Sequence, residues 1–98
     1  MLATKQIEQD IFGDSLEGVV WTIPNPNQYG GEDKVSERNL EMYLDQVLGA
    51  KQKIVLTYEK GVFWETEAWE FPEWGYTVEA DHVEDFLEWA YGATKEYL

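Results

Sequence analysis

The chain of 98 residues carries 20 acidic and seven basic side chains, a formal net charge of −13, and no cysteine. Without cysteine it has neither disulfides nor thiolate metal sites, and its charge repels nucleic acid and anionic lipid but attracts basic surfaces. No apolar run is long enough to cross a membrane, and the N-terminus lacks the apolar segment of a secretory signal. We therefore expect a single acidic domain over 1–98 in the cytoplasm.

The first predicted element is a short helix over 4–14, with the sequence TKQIEQDIFGD. Ile7 and Ile11 lie about one helical turn apart and share a face. Gly13 suits the left-handed conformation that ends many helices, because it carries no Cβ. We therefore expect the chain to open with a helix and to leave it at Gly13.

A strand and a loop follow this helix. β-Branched and aromatic residues before Pro24, in the sequence EGVVWTIP, predict a strand over 18–23. Pro26 and a pair of glycines then predict a loop over 25–34. This loop is long for so small a domain, and long loops are often mobile or functional.

The clearest helical pattern covers 35–49. Ser36 is the expected N-cap, Val35 is expected to pack on Leu40, and Gly49 is expected to end the helix. The predicted apolar stripe is Leu40, Tyr43, Leu44, Val47 and Leu48. An acidic row occupies the other side: Glu37, Glu41 and Asp45.

A hairpin is predicted next, and its register depends on the length of its loop. A two-residue loop would pair Leu56 with Glu65 and place carboxylates among core side chains. We therefore favour a three-residue loop, Glu59–Gly61, which pairs Tyr58 with Val62. The inner face is then Ile54, Leu56, Tyr58, Val62, Trp64, Thr66 and Ala68. The outer face is Val55, Thr57, Phe63, Glu65, Glu67 and Trp69.

The C-terminal third predicts a turn at FPEWGY, a short strand over 76–78 and a last helix. Asp81 is the expected N-cap of this helix, with Glu84 completing a capping box. The predicted apolar stripe is Val83, Phe86, Leu87, Ala90 and Tyr91, and the opposite face carries His82, Asp85 and Trp89. The whole order is α-β-α-β-β-(β)-α, an α+β fold in which two or three helices pack on one side of a small antiparallel sheet of three or four strands.

The sequence offers little support for an enzyme. Nucleophilic catalysis needs a base, and the single histidine, His82, is expected at the surface in the first turn of a helix. The acids alternate with core residues and point into water, where nothing tunes their pKa for acid–base work. A metal-binding or enzymatic site at Asp81, His82 and Asp85 remains an alternative, but we predict no catalytic residue, no metal and no cofactor.

One long segment is acidic and free of bases. From Gly61 to Thr94 there are nine acids and no lysine or arginine, and the same segment holds four of the five tryptophans. Glu65 and Glu67 are expected to project about 7 Å apart on one strand face. Duplex DNA carries one charge per roughly 1.7 Å of axis, which DNA-binding proteins answer with rows of lysine and arginine. Carboxylates at a comparable spacing could occupy such a row.

These features predict a protein-binding surface. Trp69 and Trp74 are the expected aromatic anchors, whereas Trp64 is expected in the core. An exposed tryptophan also offers its ring to an incoming arginine or lysine. The full set of candidate partner-binding residues is Glu65, Glu67, Trp69, Glu70, Glu73, Trp74, Glu84, Asp85, Glu88 and Trp89.

In size and charge the chain resembles a functional class: small acidic phage proteins that block restriction enzymes, CRISPR effectors or other DNA-binding host proteins. That resemblance implies a non-enzymatic inhibitor that mimics nucleic acid and occupies the cationic site of a basic partner. Acidic immunity proteins that neutralise basic nucleases are similar too. They imply the alternative, a protein-binding module that relies on an aromatic patch. The sequence leaves open whether the protein is a monomer or a dimer.

Overall fold

The computed structural model describes residues 9–25 and 30–98. Within them the chain forms two three-stranded antiparallel sheets and two α-helices, so the α+β class is confirmed. The strands are β1 Val19–Pro24, β2 Glu32–Ser36, β3 Lys51–Glu59, β4 Val62–Phe71, β5 Tyr76–Glu79 and β6 Thr94–Tyr97. The helices are α1 Leu40–Gln46 and α2 Val83–Tyr91, which follow 3-10 turns at Glu37–Asn39 and Ala80–His82.

The first sheet has β1 at its centre, between β2 and β6. The strand predicted over 18–23 is confirmed as β1. The loop predicted over 25–34 extends too far, because β2 begins at Glu32 and pairs with β1. The sequence does not predict β6, whose four residues are all exposed and show no alternation of apolar and polar side chains. The single predicted sheet is therefore two sheets.

The helix predicted over 4–14 lies mostly outside the described residues, which start at Gln9. Its described remainder is not helical: Gln9 forms an isolated bridge with Ser15, and the chain turns between them. Gly13 takes a positive φ of 89°, as expected for a residue that ends a turn. The turn is held by the side chain of Asp10.

Asp10 is 6% exposed and accepts hydrogen bonds on both carboxylate oxygens. Its Oδ1 accepts from the backbone N–H groups of Phe12 at 2.9 Å and Asp14 at 3.0 Å. Its Oδ2 accepts from the Asn39 amide at 2.8 Å and the Ser36 N–H at 3.3 Å. Burial by itself raises the pKa of Asp10, but these hydrogen bonds outweigh it and hold the pKa below its ordinary value. The carboxylate thus ties the N-terminal turn to the start of α1.

Replacement of this carboxylate should destabilise the protein in a pH-dependent way. Because one buried and three partly buried hydrogen bonds lose their acceptor, we expect Asp10→Ala to lower the free energy of unfolding by about 1–3 kcal/mol at neutral pH. A folded pKa below the unfolded value of about 3.9 gives stability that is full above that pH and is lost as pH falls through the folded pKa. Urea titrations between neutral and acidic pH should therefore show a shallower acid loss in Asp10→Asn than in the wild type. Equal acid loss in the two proteins would contradict this role.

The helix predicted over 35–49 is confirmed in its central part, from Leu40 to Gln46. The predicted stripe is buried at Leu40, Tyr43, Leu44 and Leu48 and partly buried at Val47, while Glu37, Glu41 and Asp45 are exposed. Ser36 precedes the 3-10 turn but makes no cap hydrogen bond, and its hydroxyl instead donates to the Ser15 carbonyl at 3.4 Å. Val35 is a buried residue of β2.

Tyr43 connects α1 to β2 through a polar contact. Its hydroxyl donates to Asp33 Oδ2 at 2.9 Å, and the same oxygen accepts from the Asn25 amide at 2.7 Å. Burial, together with the hydrogen bond to Asp33 and its negative charge, raises the pKa of Tyr43 above the ordinary value. The tyrosine therefore stays protonated and continues to donate.

The last helix is confirmed in its apolar face but not in its cap. The predicted stripe is buried at Val83, Phe86, Leu87 and Tyr91 and partly buried at Ala90. Asp81 does not cap α2, because it lies inside the preceding 3-10 turn, and His82 holds the N-cap position without a side-chain cap hydrogen bond. A core cluster joins both sheets to both helices and includes Trp21, Ile23, Val35, Leu44, Trp69, Phe71 and Leu87.

The second sheet has β4 between β3 and β5, and its hairpin has the register that we did not favour. Glu59 pairs with Val62 and Leu56 with Glu65, so the loop has two residues, Lys60 and Gly61. Both loop residues have positive φ, 52° and 78°, which is the pattern of a type I′ hairpin turn. The predicted three-residue loop is therefore wrong.

The error came from the assumption that this hairpin is buried. Ile54 is 56% exposed and Leu56 is 67% exposed, so Glu65 lies beside Leu56 in water and no carboxylate is buried by the pairing. The turn and short strand predicted after the hairpin are confirmed, since the chain turns between Phe71 and Tyr76 and β5 pairs with β4.

Candidate protein-interaction surface

One face of β4 is buried at one end of the strand and exposed to solvent at the other. Residues on alternate positions of a strand share one face. At the C-terminal end of β4, Phe71 and Trp69 are buried on this face, and Val78 of β5 lies opposite Trp69. Farther along, Glu67 and Glu65 are exposed. A ten-residue strand is about 34 Å long, whereas a nine-residue helix such as α2 is about 14 Å long. The helix therefore cannot cover the far half of the hairpin.

The uncovered half of the hairpin carries both apolar and acidic side chains on one face. We call it the hairpin face and define it as Ile54, Leu56, Tyr58, Phe63, Glu65 and Glu67. All six residues are exposed, and the Tyr58 and Phe63 rings contact each other at a tilt of 50°, with their centroids 4.6 Å apart. Large exposed apolar groups next to carboxylates are typical of a surface that binds another protein.

The two carboxylates of the hairpin face meet a third one across a groove. This acidic groove is lined by Glu65, Thr66, Glu67, Ala80 and Asp81. It forms because β5 returns the chain along β4 and the 3-10 turn that follows it comes back beside Glu67. Within the residues that the structure describes, none of its three acids forms a salt bridge. Among the described residues, the groove therefore presents three carboxylates without a salt-bridge partner on one concave surface.

Two of the candidate acids are neutralised by lysines. Glu70 is half-buried and forms a salt bridge with Lys53, which lies diagonally across from it on β3. Glu84 Oε2 lies 3.7 Å from Lys95 Nζ, and this ammonium also lies 5.6 Å from the centre of the Trp21 ring. These two glutamates stabilise the fold locally and contribute less to an external negative field than the sequence led us to expect.

A second feature is a group of three exposed aromatic side chains, which we call the aromatic patch: Trp74, Tyr76 and Trp89. The three residues are 39%, 48% and 69% exposed. The Trp89 ring centre lies 6.1 Å from that of Trp74 and 6.3 Å from that of Tyr76. The patch rests on Phe86 and Tyr91, with ring centres about 6 Å away.

Acids border the aromatic patch. Glu73 precedes Trp74 in the turn, and Asp85 and Glu88 are exposed on α2, with no salt bridge among the described residues. Burial raises the pKa of Tyr91 beneath the patch, the neighbouring Trp74 lowers it in part, and the negative charge of Glu73 adds a smaller rise. Exposed indole rings beside free carboxylates favour a cationic side chain of a partner.

The burial of two tryptophans is the reverse of what the sequence predicts. Trp69 is 6% exposed, so its ring is unavailable as an anchor, whereas Trp64 is 42% exposed and lies outside the core. Trp69 lies near the C-terminal end of β4, where the core cluster buries it, whereas Trp64 lies near the exposed tip of the hairpin and points to the opposite face of the strand. Sequence reasoning also missed Ile54, Leu56 and Asp81 as members of the surface. The comparison of strand length with helix length was the signal that could have revealed the two apolar residues.

Among residues 9–25 and 30–98, no group of three or more histidine, aspartate or glutamate side chains is arranged to hold a metal ion. His82 is exposed, as are Asp81 and Asp85.

The described helices include none that is long and apolar enough to span a bilayer. Searches against protein-family models, curated proteins and solved structures found no match for this chain.

Proposed function

We propose that this protein is a non-enzymatic inhibitor that binds a basic, nucleic-acid-binding protein and occupies its cationic site. We further propose that it is an anti-defence protein of the phage type, directed against a CRISPR or restriction system, and that it acts in the cytoplasm of the host cell. It would bind its protein target and not nucleic acid, because its own charge of −13 repels phosphates.

The observation that carries the proposal is the acidic groove next to the exposed apolar residues of the hairpin face. Three unpaired carboxylates, Glu65, Glu67 and Asp81, converge there within the described part of the chain. A row of lysines and arginines that normally holds phosphates would find substitute anions at this groove. Ile54 and Leu56 beside it could supply apolar contact area that nucleic acid lacks.

The two kinds of contact have different tasks in this proposal. Carboxylates at the rim attract a cationic surface, raise the association rate and disfavour acidic proteins. Apolar side chains that become buried lower the dissociation rate and provide much of the affinity. An inhibitor needs both, because it must reach a site for which nucleic acid competes and then remain there.

Competition with duplex DNA tests the proposal. The protein is immobilised and exposed to a bacterial lysate at low salt, and the captured proteins are challenged with short duplex DNA. We expect duplex DNA to release the captured proteins and the released fraction to consist of nucleic-acid-binding proteins. Retention of the same proteins in excess DNA would contradict occupation of the nucleic-acid site.

The second candidate function is an immunity-type or other protein-binding module that uses the aromatic patch. The observation in its favour is the exposure of Trp89, at 69%, in contact with two further exposed rings. If this patch dominates, Trp89→Ala should weaken capture of the partner more than charge reversal at Glu65 and Glu67. The opposite ranking would favour the acidic groove.

A further inference from the structure

The edge strand β3 of the second sheet is long, and unlike the rest of the chain its segment carries more basic than acidic side chains. Among the residues that the structure describes, β3 is an edge strand, since the sheet order is β3-β4-β5, and it spans nine residues, Lys51–Glu59. Residues 51–60 hold three of the chain's six lysines and only one acid, Glu59. Elsewhere the protein is strongly acidic, so this edge is the place where two copies can approach with the least repulsion.

The hairpin register determines which backbone groups of β3 are free. In a hairpin with a two-residue loop, the residues that flank the loop exchange both of their backbone hydrogen bonds, and here these are Glu59 and Val62. Bonding to β4 then alternates along the strand. The N–H and C=O groups of Gln52, Ile54, Leu56 and Tyr58 therefore point away from β4 and are available to another strand.

We propose that a second copy of this chain pairs with β3 antiparallel, with the two-fold axis at Val55. This register places Ile54 opposite the second copy's Leu56, and Gln52 opposite its Tyr58, so that outward-pointing backbone groups meet each other. It also places Lys51 opposite the second copy's Glu59, and the symmetry repeats this contact. The paired edges would form one sheet of six strands from the two three-stranded sheets.

The charges of β3 favour this pairing over an unpaired edge. Lysines on an edge strand commonly prevent association, because two lone edges bring like charges together. Here Lys51 and Glu59 lie at opposite ends of a nine-residue strand, so antiparallel pairing about its centre makes each terminal lysine the partner of a glutamate. Opposite charges across a strand pair are stabilising, and like charges are destabilising.

The pairing has a consequence for the acidic surface. Residues directly opposite each other in an antiparallel pair project to the same face of the sheet. The Glu65 and Glu67 pairs of both copies therefore lie on one face of the joined sheet, on strands that are three strand spacings, or about 14 Å, apart. The dimer goes beyond the proposed inhibitory function and does not depend on it.

Charge variants that complement each other test the pairing. Lys51→Glu brings two glutamates together at each end of its own dimer, and Glu59→Lys brings two lysines together there. We therefore expect each variant to dimerise about tenfold more weakly than the wild type. A mixture of the two variants restores an opposite-charge contact, and we expect it to form a dimer of one copy of each. Sedimentation velocity of the full chain at physiological salt measures all of these samples.

The mixture is also the control for folding, because variants that had lost their structure could not restore the dimer. A wild-type protein that stays monomeric up to about 1 mM, a concentration at which even weak pairs associate, would overturn the proposal and leave the edge to another chain. Single variants that dimerise as well as the wild type, or a mixture that gains nothing over them, would overturn it as well.

Discussion

Phe71→Ala should lower the free energy of unfolding by about 3–5 kcal/mol, which is at the upper end of the range for single substitutions. Phe71 is fully buried in β4, and its ring centre lies 4.6 Å from that of Phe86 on α2. The substitution removes apolar contacts and leaves a cavity where the second sheet meets the last helix. Small domains have a total stability of about 5–15 kcal/mol, so a large part of it would be lost.

Phe63→Ala is the matched control, because it makes the same chemical change on the same face of the same strand. Phe63 is 68% exposed and touches Tyr58 alone among the described rings, so we expect its removal to cost less than about 1 kcal/mol. Urea denaturation followed by tryptophan fluorescence measures both variants. Similar losses for the two would mean that the far half of the hairpin is covered in solution, contrary to the structure.

Glu65→Lys combined with Glu67→Lys should weaken association with the basic partner by about 30-fold. Two carboxylates that face cations are replaced by two ammonium groups that repel them, and each exposed contact is worth up to about 1 kcal/mol in either direction. The loss should appear mainly in the association rate, because the long-range attraction is reversed. Surface plasmon resonance with the captured partner gives both rate constants.

Glu37→Lys with Glu41→Lys controls for the total charge of the protein. Both glutamates are exposed at the start of α1, and their replacement changes the net charge by the same four units as the replacement in the groove. We expect this variant to bind within a few-fold of the wild type. Equal weakening in the two double variants would show that binding follows net charge alone and not the acidic groove.

The buried faces of α1 and α2 were predictable from sequence because their signal is local, whereas the described part of the helix predicted over 4–14 is a turn. Apolar residues at a spacing of three and four define the buried faces of both α1 and α2, and these faces are buried as predicted. The caps were less predictable. Ser36 and Asp81 have the residue types of N-caps, but Ser36 bonds to Ser15 and Asp81 lies within a 3-10 turn. Those outcomes depend on contacts with distant segments.

The strand pairings show where the sequence was insufficient. The register of β3 and β4 was argued from the cost of burying Glu65, and that argument requires a second layer over the hairpin. No such layer covers the hairpin in the described structure, so the chain can form the two-residue loop of Lys60 and Gly61 without burying a carboxylate. β2 and β6 are polar edge strands defined by pairing with β1, and local composition does not reveal pairing between segments far apart in the chain.

The candidate surface was predicted in part. Glu65 and Glu67 are exposed as predicted, but the predicted outer face is wrong, because the same face of β4 carries the buried Trp69. The predicted inner face is wrong as well, because Ile54 and Leu56 pair with these two glutamates. The neutralisation of Glu70 by Lys53 and the proximity of Glu84 to Lys95 depend on strand register and on β6, so they could not be foreseen. Asp81 joins the groove for a similar reason, because the turn after β5 brings it back toward β4.

The salt dependence of the affinity for the captured partner tests the central claim most directly: uncompensated carboxylates at the hairpin and its neighbouring turn substitute for phosphates. Dissociation constants are measured by calorimetry from low to high sodium chloride for the wild type and for the variant with lysine at 65 and 67. We predict a steep loss of wild-type affinity as salt rises, since exposed charge pairs are screened, and a clearly shallower loss for the variant. A wild-type affinity that does not change with salt would contradict the claim.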